Sequence, residues 1–340
     1  MAQPPYAMPP EWAPHAATWL SWPHNRNTWP DGLDGAEAAL VEGVVALAEG
    51  ENIHINVQDP GHAARVAALL AGRVPPERLV LEPIPTDDAW CRDHGAIIAR
   101  NAEGRCVALD FRFNAWGGKY PPFDRDDAVP RHMAQALGLE CVSVDMVLEG
   151  GSIDVNGAGA LLTTEQCLLH PNRNPQLSRG DIEALLGRYL GARAVIWLGE
   201  GIAGDDTDGH VDDITRFVAE DTVVSAVERA LSDANYRPLQ LNLQRLRAAR
   251  LPDGRALRVV ELPMPDPLYR HGERLPASYA NFYIGNRVVL VPVFDCPSDR
   301  VALEILAASF PGRRAVPIDS RELVVGLGAF HCLTQQVPAS

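Results

Sequence analysis

"ECVSVDMVLEGGSIDVNGAGALLTT", Glu140 to Thr164, places an alternating strand-like run before a glycine-flanked carboxylate, then two apolar runs joined by Asn-Gly-Ala-Gly. Asn and Gly tolerate the positive φ that a tight turn demands, so Val155 and Ala160 are expected on adjacent antiparallel strands. Gly285 and Asn286, between "NFYI" and "RVVLVPVF", repeat the signal. Hairpins inside α/β units disfavour an all-parallel doubly wound sheet.

Working outward, short β-branched runs recur along the chain and helical periodicity lies between them. "DGAEAALVEGVVALAEG" (34–50), "GHAARVAALLAGRV" (61–74), "SRGDIEALLGRYLG" (178–191) and "SDRVALEILAASF" (298–310) space apolar residues three and four apart. Ser178 and Asp181 form a capping-box pattern. No linker, low-complexity tract or obvious sequence repeat divides the 340 residues. The expectation is one domain spanning 1–340, with a Pro/Trp-rich extended segment over about residues 1–30 wrapping the body.

Composition narrows the partners. A net charge of −14 and the lack of any long basic run argue against nucleic acid and anionic membrane, and favour a cationic ligand. The start of the chain lacks a basic region followed by an apolar stretch, so a cytoplasmic setting is expected. Six scattered cysteines follow no zinc or disulfide cadence. Cys106, Cys141 and Cys167 lie in apolar surroundings and read as inert core thiols.

Four segments put ionisable or nucleophilic residues beside glycine: "DDAWCRDHG" (87–95), "LEGGS" (148–152), "GDDTDGHVDDITRF" (204–217) and "GLGAFHCLTQQ" (326–336). The third resembles a calcium loop only superficially, because Gly204 stands where the first aspartate belongs and Thr215 where the closing glutamate belongs. No second histidine pair completes a zinc or di-iron set. Carboxylates can instead hold a planar guanidinium by paired charge-assisted hydrogen bonds, leaving its central carbon open to a thiolate. Cys332 is the candidate thiol and a histidine the candidate proton carrier.

Strand alternation places Asp212 on the face of His210 and Asp213 on the other; by the same rule His331 points away from Cys332. Asp124, Asp126, Asp127 and at least one of Asp205 and Asp213 are expected to be solvated or to cap helices. Trp90 and Trp116 serve either as core or as pocket walls.

Several stretches, in order over about 6–338, closely resemble the agmatine deiminases within the bacterial-type peptidylarginine deiminase family: "YAMPPEWAPHAATWLSWP", "DDAWCRDHG", "FNAWGGKY", "LEGGSIDVNGAGALLTTEQCLLHPNRNPQLSR", "DTDGHVDDITRF", "SYANFYIGN" and "HCLTQQ". The resemblance implies a pentein-like α/β-propeller of five ββαβ units with pseudo-fivefold symmetry. It also implies hydrolysis of agmatine to N-carbamoylputrescine and ammonia, without metal or organic cofactor. By the same resemblance Cys332 is the nucleophile that forms an S-alkylthiouronium intermediate, His210 the general acid/base and Glu149 the buried carboxylate that pairs with the guanidinium. Asp93 and Asp212 grip its nitrogens, and Asp206 lies near the substrate. The partners expected are a small cationic guanidino substrate and a second copy of the chain in a homodimer.

Two departures stand out. "GLGAFHC" has Leu327, Ala329 and Phe330 where the family's glycine-rich approach usually ends in Ile-His-Cys, so extra bulk is expected to reshape the channel. Aspartate replaces asparagine at 208 and 213. Arginine or peptidylarginine is the rival substrate. A metal hydrolase on His210, Asp206, Asp208 and Asp212, or a non-catalytic polyamine binder, are the rival classes.

Overall fold

The fold is described from a computed structural model, over residues 4–339. Glu140–Val147 is a strand, and the hairpin pairs Asp154–Val155 with Ala160–Thr164 in antiparallel register, Val155 opposite Leu161. Gly157 (φ 69°) and Gly159 (φ 92°) occupy the left-handed region that this turn requires. Arg179–Leu190 then crosses over to Ala194–Leu198, which lies parallel to Ala160–Thr164. Ser178 caps that helix with the reciprocal bond to Asp181.

The same order recurs. Ile97–Asn101 pairs antiparallel with Cys106–Arg112, and helix Asp124–Leu137 leads to parallel Glu140–Val147. Thr215–Ala219 and Thr222–Val227 are followed by helix Tyr236–Ala248 and parallel Arg258–Pro263. Tyr283–Ile284 and Val288–Val293 are followed by helix Ser298–Ser309 and parallel Arg314–Asp319. These are four sheets of three or four strands; among the described residues a fifth such sheet and one further two-stranded hairpin complete the set. The chain is a single α/β domain.

The fifth sheet is assembled from both ends. His15–Ser21, inside the segment expected to wrap the body, is an inner strand: Thr334–Pro338 flanks it antiparallel and Asn52–Asn56 parallel, with helix Asp34–Leu47 as the crossover. Residues 1–3 of that segment lie outside the described residues. His15–Ser21 reads as a strand because Thr18, Trp19 and Leu20 bury side chains on both faces.

Apolar stripes hold the crossover helices down. Ile182, Leu186 and Leu190 recur every four residues and pack with Leu109 and Leu161. Each such burial contributes about 1.5–3 kcal/mol. Asp124–Leu137 and Tyr236–Ala248 are amphipathic crossover helices as well, although each contains a proline, Pro130 and Pro238. No helix of the described residues is long and apolar enough to cross a membrane.

Candidate active site

In each of the five sheets a short turn precedes the first strand of the antiparallel pair, and each turn delivers polar side chains to one place. The turns are Cys91–His94 with Asp93, Gly150–Ser152 with Glu149 at its start, Val211–Asp213 with His210 and Asp212, Ser278–Asn281, and Phe330–Leu333 with Cys332. All of these side chains are buried, from 5% exposed at Cys332 to 0% at Glu149, His210 and Asp212.

Gly151 marks where they meet. A Cβ built there would lie 2.7 Å from Asp93 Oδ1, 2.7 Å from His210 Nδ1 and 3.0 Å from Asp212 Oδ2. Only glycine lets the backbone pass that close, and its N–H donates to Asp93 Oδ1 at 2.9 Å. Replacing Gly151 with Ala should displace all three groups and lower kcat/KM about 100-fold, with the circular dichroism spectrum unchanged. Near-normal kcat/KM would show that the three side chains are free to move.

The carboxylates are held from behind. Glu149 Oε1 accepts from Arg173 Nε at 2.6 Å, and Arg173 Nη1 donates to Asp208 Oδ2 at 2.6 Å. Asp93 Oδ2 accepts from Trp116 Nε1 at 3.0 Å. Asp212 Oδ2 lies 2.6 Å from His331 Nδ1, and His331 Nε2 lies 2.8 Å from Glu11 Oε2. Glu11 is itself paired with Arg92 and Arg216. In contrast Glu149 Oε2, Asp212 Oδ1 and both ring nitrogens of His210 have no partner from the protein. Orphaned buried polar atoms each cost about 1–3 kcal/mol, so the two unpaired carboxylate oxygens, with the His210 ring beside them, mark where a ligand rich in N–H groups is recognised.

The electrostatics suit a cation. Burial pushes the Asp93 carboxyl up to about 6, against the neighbouring His210 charge. Burial alone would lower His210, but the Asp93 carboxylate, then Cys167 and Glu149, carry it well above its ordinary 6.5. Burial would raise Asp212, yet the His331 hydrogen bond and charge, with His210 and Arg216, hold it below 3.8. Burial and the carboxylates of Asp212, Asp213 and Asp93 push the Cys332 thiol well above 9.0, opposed by Asn281. In the free protein, therefore, the sulfur keeps its proton until positive charge arrives.

Above the thiol opens a cavity of about 420 Å³, with Cys332 and Asp93 at its base and Trp90, Trp116 and Asp206 in its walls. Trp90 stacks on Trp29 at 5.5 Å, and both Trp90 and Trp116 line the cavity while packing into the apolar core behind it, so each is core and wall at once. Asp206 accepts from the Tyr120 hydroxyl. Of Leu327, Ala329 and Phe330, only Leu327 reaches the cavity, in a left-handed conformation (φ 72°). Phe330 is fully buried and packs towards Gly43, and the Ala329 N–H donates to Asn281 at 3.2 Å. Their bulk points into the core and leaves the channel alone.

Other expectations change. His331 sits in a helical turn where a strand was assumed, so it faces Asp212. Val211–Asp213 is likewise a 3-10 turn, yet Asp212 and Asp213 still part, Asp213 turning to Asn281. Asp126 is 3% exposed and accepts from the Asp87 and Asp88 backbone N–H groups, and Asp213 is 2% exposed. Asp205 shapes its loop through the N–H groups of Thr207, Gly209 and His210. Cys141 is exposed, and Cys167 lies in a short helix, its sulfur within 4.8 Å of donor atoms of His210 and Glu149. That trio is the metal-like donor set among the described residues. Asp208 is instead tied to Lys119, Asn172 and Arg173, so the set His210, Asp206, Asp208 and Asp212 is not gathered as ligands.

The model of the Porphyromonas-type peptidyl-arginine deiminase family matches residues 7–338. The agmatine deiminase of Ectopseudomonas mendocina is 40% identical over 357 aligned positions, covering 98% of this chain and 96% of the relative. That of Stutzerimonas stutzeri is 39% identical over 357 positions, with the same coverage. Among solved structures, the agmatine deiminase of Enterococcus faecalis superposes with a TM-score of 0.92 at 33% identity, covering 99% of this chain and 98% of that one. A C. jejuni agmatine deiminase with substrate bound gives a TM-score of 0.89 at 32% identity, covering 98% and 96%.

Proposed function

The chain belongs to the Porphyromonas-type peptidyl-arginine deiminase family, and from that premise we propose that it hydrolyses agmatine to N-carbamoylputrescine and ammonia. The observation that carries this reading is the meeting of Asp93, Glu149 and Asp212 above one buried thiol, with lone pairs of Glu149 and Asp212 unused by the protein. A guanidinium offers planar N–H pairs for those oxygens and puts its carbon beside the sulfur. Two wall residues of the cavity, Trp90 and Trp116, flank the alkyl chain, while Asp206 and Glu273 near the mouth suit a terminal ammonium.

Substrate binding brings the positive charge that the thiol lacks. Cys332 gives up its proton to solvent through the cavity, and its sulfur lone pair forms a bond to the guanidinium carbon as the C=N π pair moves onto nitrogen, giving a neutral tetrahedral carbon. His210, which enters carrying a proton, delivers it to one terminal nitrogen, and that C–N bond breaks to release ammonia. His210 then takes a proton from water, the oxygen bonds to the carbon of the thiouronium, and the S–C bond breaks as the remaining hydroxyl proton passes to the departing sulfur and restores the thiol. The product is the neutral ureido group of N-carbamoylputrescine.

Arginine is disfavoured because its α-carboxylate needs a free cation. Arg270 lines the cavity but is engaged by Asp31 at 2.7 Å and Glu322 at 2.9 Å. The five sheets, each with an antiparallel pair, a crossover helix and a turn feeding the site, support a propeller of five ββαβ units about a pseudo-fivefold axis.

Purified protein should release ammonia from agmatine with EDTA present, and from arginine at least 100-fold less efficiently. Because Asp93 titrates near 6 and must be ionised to hold the cation, kcat/KM on agmatine should fall about tenfold per pH unit below about 6. Preference for arginine, or activity restored only by added metal, would overturn the reading.

A further inference from the structure

"SYANFYIGN" brings a fifth turn to the site whose polar residue has no assigned part, Asn281. It is 1% exposed. Its Oδ1 accepts from three backbone N–H groups of the turn that holds Cys332: Ala329 at 3.2 Å, His331 at 3.1 Å and Cys332 at 3.4 Å. Its Nδ2 donates to Asp213 Oδ1 at 2.9 Å and to Cys332 Sγ at 3.0 Å. Three donors on one side and a carboxylate on the other fix which end of the amide is oxygen. Both amide hydrogens are therefore accounted for, and one of them is aimed at the sulfur.

We propose that Asn281 is a further catalytic residue, which fixes the Cys332 turn through Oδ1 and stabilises the thiolate through Nδ2. The proposal rests on the reading of Cys332 as the nucleophile. A thiolate is a far stronger acceptor than a thiol, so this hydrogen bond is worth most in the ionised form, where it offsets the Asp93, Asp212 and Asp213 carboxylates. The same bond eases departure of the sulfur when the thiouronium is hydrolysed. Substrate binding makes no use of it, so its loss should fall on kcat.

The test reads the sulfur directly. The rate of Cys332 alkylation by iodoacetamide is followed by mass spectrometry from pH 7 to 10.5 in the wild type, N281A and N281D/D213N, without substrate. The N281D change is made together with D213N, so that the new carboxylate meets an amide and the buried charge is unchanged; it keeps an oxygen for the three backbone N–H groups but removes the N–H that faces the sulfur, and it provides a second reading if N281A does not fold. Both variants should alkylate about 10- to 100-fold more slowly at pH 8, with the profile moved to higher pH, as expected for a lost hydrogen bond to a charged group. On agmatine, kcat should fall by a similar factor with KM within about threefold. Wild-type alkylation in N281D/D213N would reduce Asn281 to a structural brace and overturn the proposal, whatever the turnover. A wild type that leaves agmatine untouched while alkylation still depends on Asn281 overturns the activity and upholds the assignment of Asn281 to the thiol.

Discussion

Cys332→Ala should reduce agmatine turnover to background, a loss on the order of 10⁵-fold, comparable to removing the nucleophile of other covalent hydrolases. The hydrogen-bond contacts of the sulfur are Asn281 at 3.0 Å and Asp212 at 3.6 Å, so its removal leaves no strong interaction broken. Thermal unfolding should therefore shift little, and calorimetry should still detect agmatine binding, since Asp93, Glu149 and Asp212 are intact. Cys332→Ser should be almost as inactive, because a neutral hydroxyl has no comparable nucleophilicity at neutral pH. Ammonia release by either variant above one-hundredth of the wild-type rate would sink the covalent route.

Glu149→Gln is expected to lower kcat/KM by about 10³-fold. Oε1 is engaged by Arg173 and Oε2 is unpartnered 4.0 Å from His210 Nε2, so the carboxylate has one oxygen anchored and one to offer. An amide has a single oxygen. If it faces Arg173, the NH₂ group meets the guanidinium of the substrate; if it faces the substrate, the NH₂ group meets Arg173. Either orientation leaves a buried cation opposed by a donor. The variant should also lose about 1–3 kcal/mol of stability, visible as a lower midpoint in urea. Steady-state kinetics decide the point: kcat/KM above a tenth of wild type would mean that Glu149 braces Arg173 and has no contact with substrate.

Much of the site could be read in the chain because its residues interrupt apolar runs beside glycine. Asp93, Glu149, His210 and Cys332 all come from such segments, and the structure brings them together. Their partners were harder to find. Asn281 sits between Ala280 and Phe282 in a segment that reads as apolar strand, with no charge to draw notice. Arg173, Arg92 and Arg216 are buried counter-ions, and pairing across as many as 205 residues, as between Glu11 and Arg216, has no local pattern. His331 escapes a period-two reading because its segment is one helical turn, not a strand. The hairpins were legible from Asn-Gly and Gly-Asn, whereas the number of sheets was not, since the units share topology without sharing sequence.

The pairing of Thr334–Pro338 with His15–Ser21 has a consequence for how the protein is made. Thr334 lies opposite Leu20, more than 300 residues away along the chain, so the strand that positions the thiol finds its partner only after the intervening four sheets have been synthesised. Until then His15–Ser21 presents one bare edge, the kind of surface that recruits neighbouring chains and rewards chaperone protection during slow, non-local folding. The same delay acts as a safeguard during biogenesis: a half-made chain lacks the Cys332 thiol altogether, because the sulfur arrives with the strand that completes the fifth sheet.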